Sequence, residues 1–324
     1  MKMLFVLLFF TFNFTSCSFF QVSKEDKELH QEAKKFFNPL PESLIDIKKN
    51  EKIVSLGKKL YFETKLSKSG TISCNSCHRI DQFGVDNEIT SPGHDGTRGG
   101  RNSPTTFNSA LNFRQFWDGR AKDLEEQALG PILNPIEHGL KDEKEAVKAI
   151  TNDEYLTLFK EAFPKTKNPI SFKRIGLAIA AFEKTLLTPS RFDDYLKGDI
   201  SALTHQEKAG LSKFIKVGCT TCHSGTGLGG SMYQKLGLVK PYKTKDTGRH
   251  EVTKKRRDKF KFKVPLLRNI EKTAPYFHDG SVKTLDEAIA IMAEYQIGKK
   301  LDQKDIDDIK AFLSSLTAKK PIKL

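Results

Sequence analysis

Cys74-Asn75-Ser76-Cys77-His78 and Cys219-Thr220-Thr221-Cys222-His223 are the stretches on which the reading of this chain turns. Each is a C-x-x-C-H pentapeptide, the attachment signal for a c-type haem. Two thiols at this spacing bond the two vinyl groups of one porphyrin. The adjacent histidine is then held beneath the iron as its proximal ligand. The motifs use four of the chain's five cysteines. Other chemistries also pair cysteines. A four-thiolate zinc ribbon separates its pairs by ~15–20 residues, whereas residues 78–218 lie between Cys77 and Cys219. A thioredoxin-like pair needs a βαβ setting, which neither motif has. Zinc and disulfides alike leave both trailing histidines without a role. The duplication, with a histidine each time, points to two covalent c-type haems.

Outward from the motifs, the same plan occurs twice. Ile53, Leu56, Leu60 and Tyr61 recur at helical spacing before the first motif. Ser171 opens a later helix with Ile175, Ile179, Phe182 and Leu186 on one face. In the second half, Thr204 and Glu207 form a capping box ahead of Leu211, Phe214 and Ile215, and Gly218 stops that helix just before Cys219. Ile306, Ile309, Phe312, Leu313 and Leu316 mark a closing helix over 304–316. No series of alternating strands competes. The fold expected is mainly α: two cytochrome c-like haem domains with long irregular loops. They span 46–190 and 191–324, are joined by residues 188–200, and are preceded by an N-terminal arm over 17–45.

The first residues read as an export signal. Met1-Lys2-Met3 is followed by the apolar run Leu4–Phe10 and small residues ending at Cys17. That run is short of the ~20 apolar residues of a spanning helix, and its basic start suits a cleaved signal over 1–16. Phe14-Thr15-Ser16-Cys17 has the form of a lipobox with Phe14 in place of the usual leucine. Lipidation of Cys17 gives a lone exported thiol a role, the alternative being an ordinary signal peptide cut nearby. The expected place is the periplasm, tethered by lipid alone.

The chain has 324 residues and a formal charge of +14. Its densest basic stretch is Lys254-Lys255-Arg256-Arg257, continuing through Lys259, Lys261 and Lys263 with Phe260 and Phe262 interleaved. In an exported haem protein this reads as a solvated loop or a docking face for an anionic donor or membrane surface, not as a nucleic-acid site.

Function depends on the second axial position of each iron. Ligands on both sides make an electron-transfer centre, and an open side makes a catalytic one. Beyond the two near the start, Met232 and Met292 are the methionines that can supply a thioether. Thr284 and Glu287 suggest a capping box for a helix with Leu285, Ala288, Ile289 and Met292 on one face. Met292 is thus a ligand candidate or a packed core residue. Met232 sits in a Gly-rich loop.

ISCNSCH at 72–78, GRNSPT at 100–105, QFWDGRA at 115–121, EQALGPI at 126–132, GCTTCHSG at 218–225 and PLLRNIEKTAPYFHDGSVKTLDEAI at 265–289 occur in this order. As a set they resemble the bacterial dihaem cytochrome c peroxidases, across essentially the whole chain after the signal. The resemblance implies a peroxidatic haem on His78 and an electron-entry haem on His223, with Met292 as the latter's other ligand. It implies that His94, in the Gly-rich loop 91–101, caps the first iron in the resting oxidised state. Glu137 matches the catalytic acid, which moves a proton from one peroxide oxygen to the other, and Gln127 a second distal residue. His138 is the weaker candidate, because adjacent side chains generally point apart. Trp117, the only tryptophan, matches a residue between the haems. Asn102, Thr273 and Pro275 match an inter-domain calcium site of hard oxygen donors. His278 matches a position near the second haem.

The implied partners are hydrogen peroxide, a small cytochrome c or cupredoxin as electron donor, and a second copy of the chain in a homodimer. Two other functions use the same parts. A plain dihaem electron carrier needs neither Glu137 nor a mobile His94. Enzymes of similar fold that oxidise a tryptophan-derived cofactor precursor in a partner protein carry tyrosine where this chain has Met292, with Tyr295 one turn further on.

Overall fold

The computed structural model describes residues 22–319 and Ile322. The signal and Cys17 expected from the sequence lie outside those residues. Among the described residues no helix is long and apolar enough to cross a membrane.

Helix α1 (Lys24–Ala33) is capped by Ser23. Helix α2 (Glu51–Tyr61) buries Leu56, Leu60 and Tyr61, and the first C-x-x-C forms one turn, α3 (Cys74–Cys77). Helices α4 (Leu124–Leu133), α5 (Glu143–Ala149) and α6 (Asp153–Ala162) follow. Each starts where an Asp or Asn side chain accepts a backbone N–H that the first helical turn leaves unpaired. Helix α7 (Phe172–Glu183) begins at Ser171, as its sequence predicts. The segment expected to link the halves instead folds as α8 (Arg191–Leu196). Its Phe192 and Tyr195 are fully buried, so apolar packing overrides the polar look of that stretch.

The second half runs through α9 (His205–Val217), which carries the expected Thr204/Glu207 capping box and ends on Gly218 with φ 102°. Next come the short α10 (His250–Thr253), α11 (Leu285–Met292) and α12 (Gln303–Ser314). Thr284 caps α11 by accepting from the Glu287 N–H. The reciprocal half of the expected box is not formed, and Glu287 is solvent-exposed. Strands β1 (Tyr233–Lys235) and β2 (Lys261–Lys263) pair antiparallel, with Tyr233 opposite Lys263. The basic stretch is therefore not simply a solvated loop, since its Phe262 and Lys263 are buried.

Two cores result. One gathers Leu56, Leu60, Tyr61, Ile175, Ile179 and Phe182, with Ile322 packed against it. The other gathers Phe192, Leu211, Phe214, Ile309 and Phe312, together with Ala33 and Phe37 of the N-terminal arm. The repeated plan has a repeated crossing. A Cβ on Gly57 of α2 would sit 1.8 Å from the Ala178 carbonyl oxygen of α7, and one on Gly210 of α9 would sit 1.7 Å from that of Asp308 of α12. In each half a glycine lets the helix before the haem motif touch the backbone of the helix that closes the unit.

Arg268 pins the arm to the second core. Its guanidinium donates twice to Asp193, at 2.9 Å each, and Asp193 also accepts from the Leu40 N–H at 2.7 Å. Burial alone would raise the Asp193 carboxyl, but Arg268 and these amides hold it below its ordinary value. Removing one partner of such a buried pair costs about 3–5 kcal/mol.

Candidate active site

A cavity of about 100 Å³ is lined by Cys74, Cys77, His78, Gln127, Glu137 and His138. Turn α3 and its C-cap supply the first three, and α4 supplies Gln127. A tight turn after α4 supplies the others: Glu137 N–H and Gly139 N–H both donate to the Asn134 carbonyl, at 3.1 and 2.8 Å. Contrary to the expectation for adjacent residues, Glu137 and His138 both reach this cavity. The turn, closed by Gly139 at φ 75°, removes the usual alternation.

Burial raises the Glu137 carboxyl, against the opposing pull of Arg120 and Asn134. Asn134 Nδ2 fixes its Oε1 at 2.7 Å. A carboxyl poised upward in this way suits general acid–base work. His138 is buried with Nδ1 at 2.8 Å from the Leu66 carbonyl, and burial lowers its pKa. His78 is lowered by burial too, and its Nδ1 is buried without a hydrogen-bond partner. Neutral imidazole and two thiols in one cavity are the donor set a c-type haem requires.

The second cavity measures about 620 Å³ and is lined by Cys219, Cys222, His223 and Met292. His223 Nδ1 lies 3.1 Å from the Leu228 carbonyl, and burial pushes the ring down to about 4. A neutral ring bonded at Nδ1 presents Nε2 to a metal. Met292 is the last residue of α11, where the chain passes into a π-helical turn over Ala293–Ile297. Such turns concentrate at functional sites. Met232 does not line this cavity; its carbonyl accepts from the Val264 N–H at 3.0 Å. Tyr295 does not line it either. Its ring packs on Tyr242 with centroids 6.0 Å apart and lies under Lys240 at 4.5 Å. The donors of both cavities fit covalent haem.

The family model described as di-haem cytochrome c peroxidase matches residues 51–201. The chain is 46% identical to the cytochrome c551 peroxidase of Pseudomonas aeruginosa, over 90% of this chain and 87% of that protein. It is 46% identical to the cytochrome c551 peroxidase of Nitrosomonas europaea, over 84% and 82%. The crystal structure of a MauG-like protein associated with microbial copper homeostasis superposes with a TM-score of 0.76 at 30% identity, covering 86% of this chain and 94% of that one. The chain belongs to the dihaem cytochrome c peroxidase family.

A dihaem cytochrome c peroxidase carries two c-type haems, and the two cavities provide a site for each. In this peroxidase His94 does not line the first cavity. Its backbone N–H donates to the Glu137 carbonyl at 2.8 Å, and its ring lies where a Cβ on Gly139 would fall, 2.4 Å from Nε2. Ser91, Pro92, Gly93 and Gly99 of the same loop do line the cavity. The loop's position therefore sets the cavity's volume.

Trp117 lines the second cavity although it comes from the first half of the chain. Its Nε1 donates to the Asn102 carbonyl at 2.8 Å. Asn102 N–H donates to the His278 carbonyl at 2.8 Å, and the His278 ring stands edge-on to the indole with centroids 6.5 Å apart. Asn102, Thr273 and Pro275 also line the second cavity. Asn102 Nδ2 is occupied by the Glu88 carbonyl at 2.9 Å, which leaves its Oδ1 as the atom able to serve a hard cation.

Sequence reasoning missed three cavity residues. Glu183 follows Ile179 by four positions, so its place on the buried face of α7 was legible from period alone. Its Oε2 is buried and unpartnered, and burial, aided by Glu125, pushes the carboxyl up to about 8. Arg101 joins the halves through Asp118 at 2.5 Å and Asp246 at 2.6 and 2.8 Å. Lys263 hid in a basic run, and no sequence signal set it apart.

Proposed function

We propose that this peroxidase reduces hydrogen peroxide to water at the first cavity and draws the electrons through the second. The observation that carries the reading is that Glu137, a carboxyl raised by burial, shares one cavity with Cys74, Cys77 and His78. A haem held there by Cys74, Cys77 and His78 would supply a site for peroxide and for one-electron transfer. Glu137 takes the proton from one peroxide oxygen and returns it to the other, so that the departing oxygen leaves as water. The Gln127 amide donates a hydrogen bond to the bound oxygens. Two electrons from the donor and two protons from solvent complete the second water. Trp117 carries electrons between cavities, and Met292 with His223 holds the entry centre. Peroxide-dependent oxidation of a reduced monohaem cytochrome by the purified holoprotein tests this, and its absence rejects the reading.

The division of labour between 46–190 and 191–324 belongs to the same proposal. So do periplasmic export, lipid at Cys17, calcium at Asn102, Thr273 and Pro275, and a homodimer. The mass of the native assembly reports lipid, ion and subunit number together. The alternative, oxidation of a partner's tryptophan-derived cofactor, is disfavoured because Met292 and not Tyr295 lines the second cavity.

His94 is proposed to move from its place beside Gly139 onto the first iron in the resting oxidised state. His94→Gly is then expected to leave the first haem open in the oxidised protein, so that peroxide reacts without prior reduction. A first haem that stays low-spin in that variant rejects His94 as the resting ligand.

The donor is proposed to be acidic. Leu238 is 53% exposed and Val239 59%; Leu238 also lines the second cavity, and Val239 follows it in the chain. Gln296 bonds both the Leu238 N–H and the Lys235 carbonyl, and Gly298, just before Lys299 and Lys300, lies beside Val239; Lys235, Lys240, Lys299 and Lys300 are all exposed, and Glu294 is held by Lys240 at 2.6 Å. Attraction of this kind raises association rates ~10–10³-fold and falls with salt. Turnover with an acidic cytochrome c is expected to drop as salt rises, and to drop about tenfold at low salt in Lys235→Glu/Lys300→Glu. Salt-independent turnover rejects the acidic donor.

A further inference from the structure

Lys263 ends β2 and is 6% exposed. Its Nζ donates to Asn112 Oδ1 at 3.0 Å, which uses one of an ammonium's three donors. Elsewhere the fold pairs buried Arg268 with Asp193, and half-buried Arg101 with Asp118 and Asp246. Among the described residues no carboxylate reaches Lys263, and burial, opposed by nothing, pushes its ammonium down to about 8. A buried charge left in this state is costly and calls for a counter-ion. Lys263 lines the second cavity beside Asn112 and Trp117, and its backbone N–H donates to the Trp117 carbonyl at 2.7 Å. It therefore stands where residues of the first half enter the second haem site.

We propose that Lys263 pairs with a propionate carboxylate of the haem in the second cavity and fixes that edge of the porphyrin against Trp117. The inference rests on reading this cavity as the electron-entry haem site. The haem's peripheral carboxylates are the anions the site lacks, and the dry surroundings make the pairing strong. A positioning role follows. By holding that edge beside the backbone of Trp117, Lys263 sets the approach of the second haem to the route toward the first. Its positive charge also favours the reduced, less positive iron.

Potentiometric titration of the holoprotein tests this. Lys263→Met is expected to shift the second haem's midpoint potential downward, to leave the first haem's unchanged, and to keep two haems per chain. Lys263→Arg is expected to restore most of the shift, which a purely structural lysine would not require. An unchanged second-haem potential in Lys263→Met overturns the proposal. If that variant does not accumulate, the resonance Raman propionate mode of the wild-type holoprotein decides, and a mode at the solvated position overturns it. A wild-type protein with no covalent haem in the second cavity would instead overturn the reading of the cavity itself, a distinguishable result.

Discussion

Glu137→Gln is expected to lower peroxide turnover by ~10²–10⁴-fold, the usual worth of a general acid–base group, while both haems stay attached and the second is reduced as before. The substitution keeps the side chain's size and its reach into the cavity. It also keeps an oxygen for the Asn134 amide that now bonds Oε1 at 2.7 Å. What it removes is basicity. A further signature follows from the raised carboxyl. Glu137 must begin ionised to take the first proton, so wild-type turnover falls as pH drops through that raised pKa, and this acidic limb is absent from the Gln variant. Stopped-flow spectra of the first haem with peroxide make the measurement. Reaction at the wild-type rate in Glu137→Gln would reject the proton-shuttle role.

Met292→His is expected to lower the reduction potential of the second haem sharply, since axial-ligand choice spans ~0.8 V across haem proteins and a thioether favours the reduced state. Turnover falls with it, because the donor no longer reduces the entry centre. The side chain lines the cavity at the end of α11, while Leu285, Ala288 and Ile289 carry that helix's buried face. The fold therefore does not depend on Met292 for packing, and haem content should be unchanged. Survival of the thioether-to-iron absorption band in Met292→Ala would show that Met292 is not the ligand.

The helices were legible because short-range rules decide them. Ser171, Thr204 and Gly218 sit where capping chemistry puts them, and the apolar residues of α2, α7, α9 and α12 recur at helical spacing. Those rules failed where tertiary packing intervened. Residues 188–200 read as a link between the halves, yet Phe192 and Tyr195 draw α8 into the second core. The basic run through Lys259, Lys261 and Lys263 read as a solvated loop or a docking face, yet pairing with β1 buries Lys263.

By itself the sequence determined the chemistry each half can hold. Cysteine spacing and the adjacent histidine are covalent facts, and nothing in the fold alters which thiols meet one porphyrin. What only the tertiary structure decided is who shares a cavity. Glu137 and His138 converge through a turn whose geometry depends on contacts back to α4. Glu183 and Lys263 have their ionisation shifted by losing water, not by belonging to any motif. Trp117 reaches the second cavity from the first half of the chain. Burial and long-range proximity set pKa values and cavity linings, and they arise between segments far apart in sequence, where local spacing carries no information.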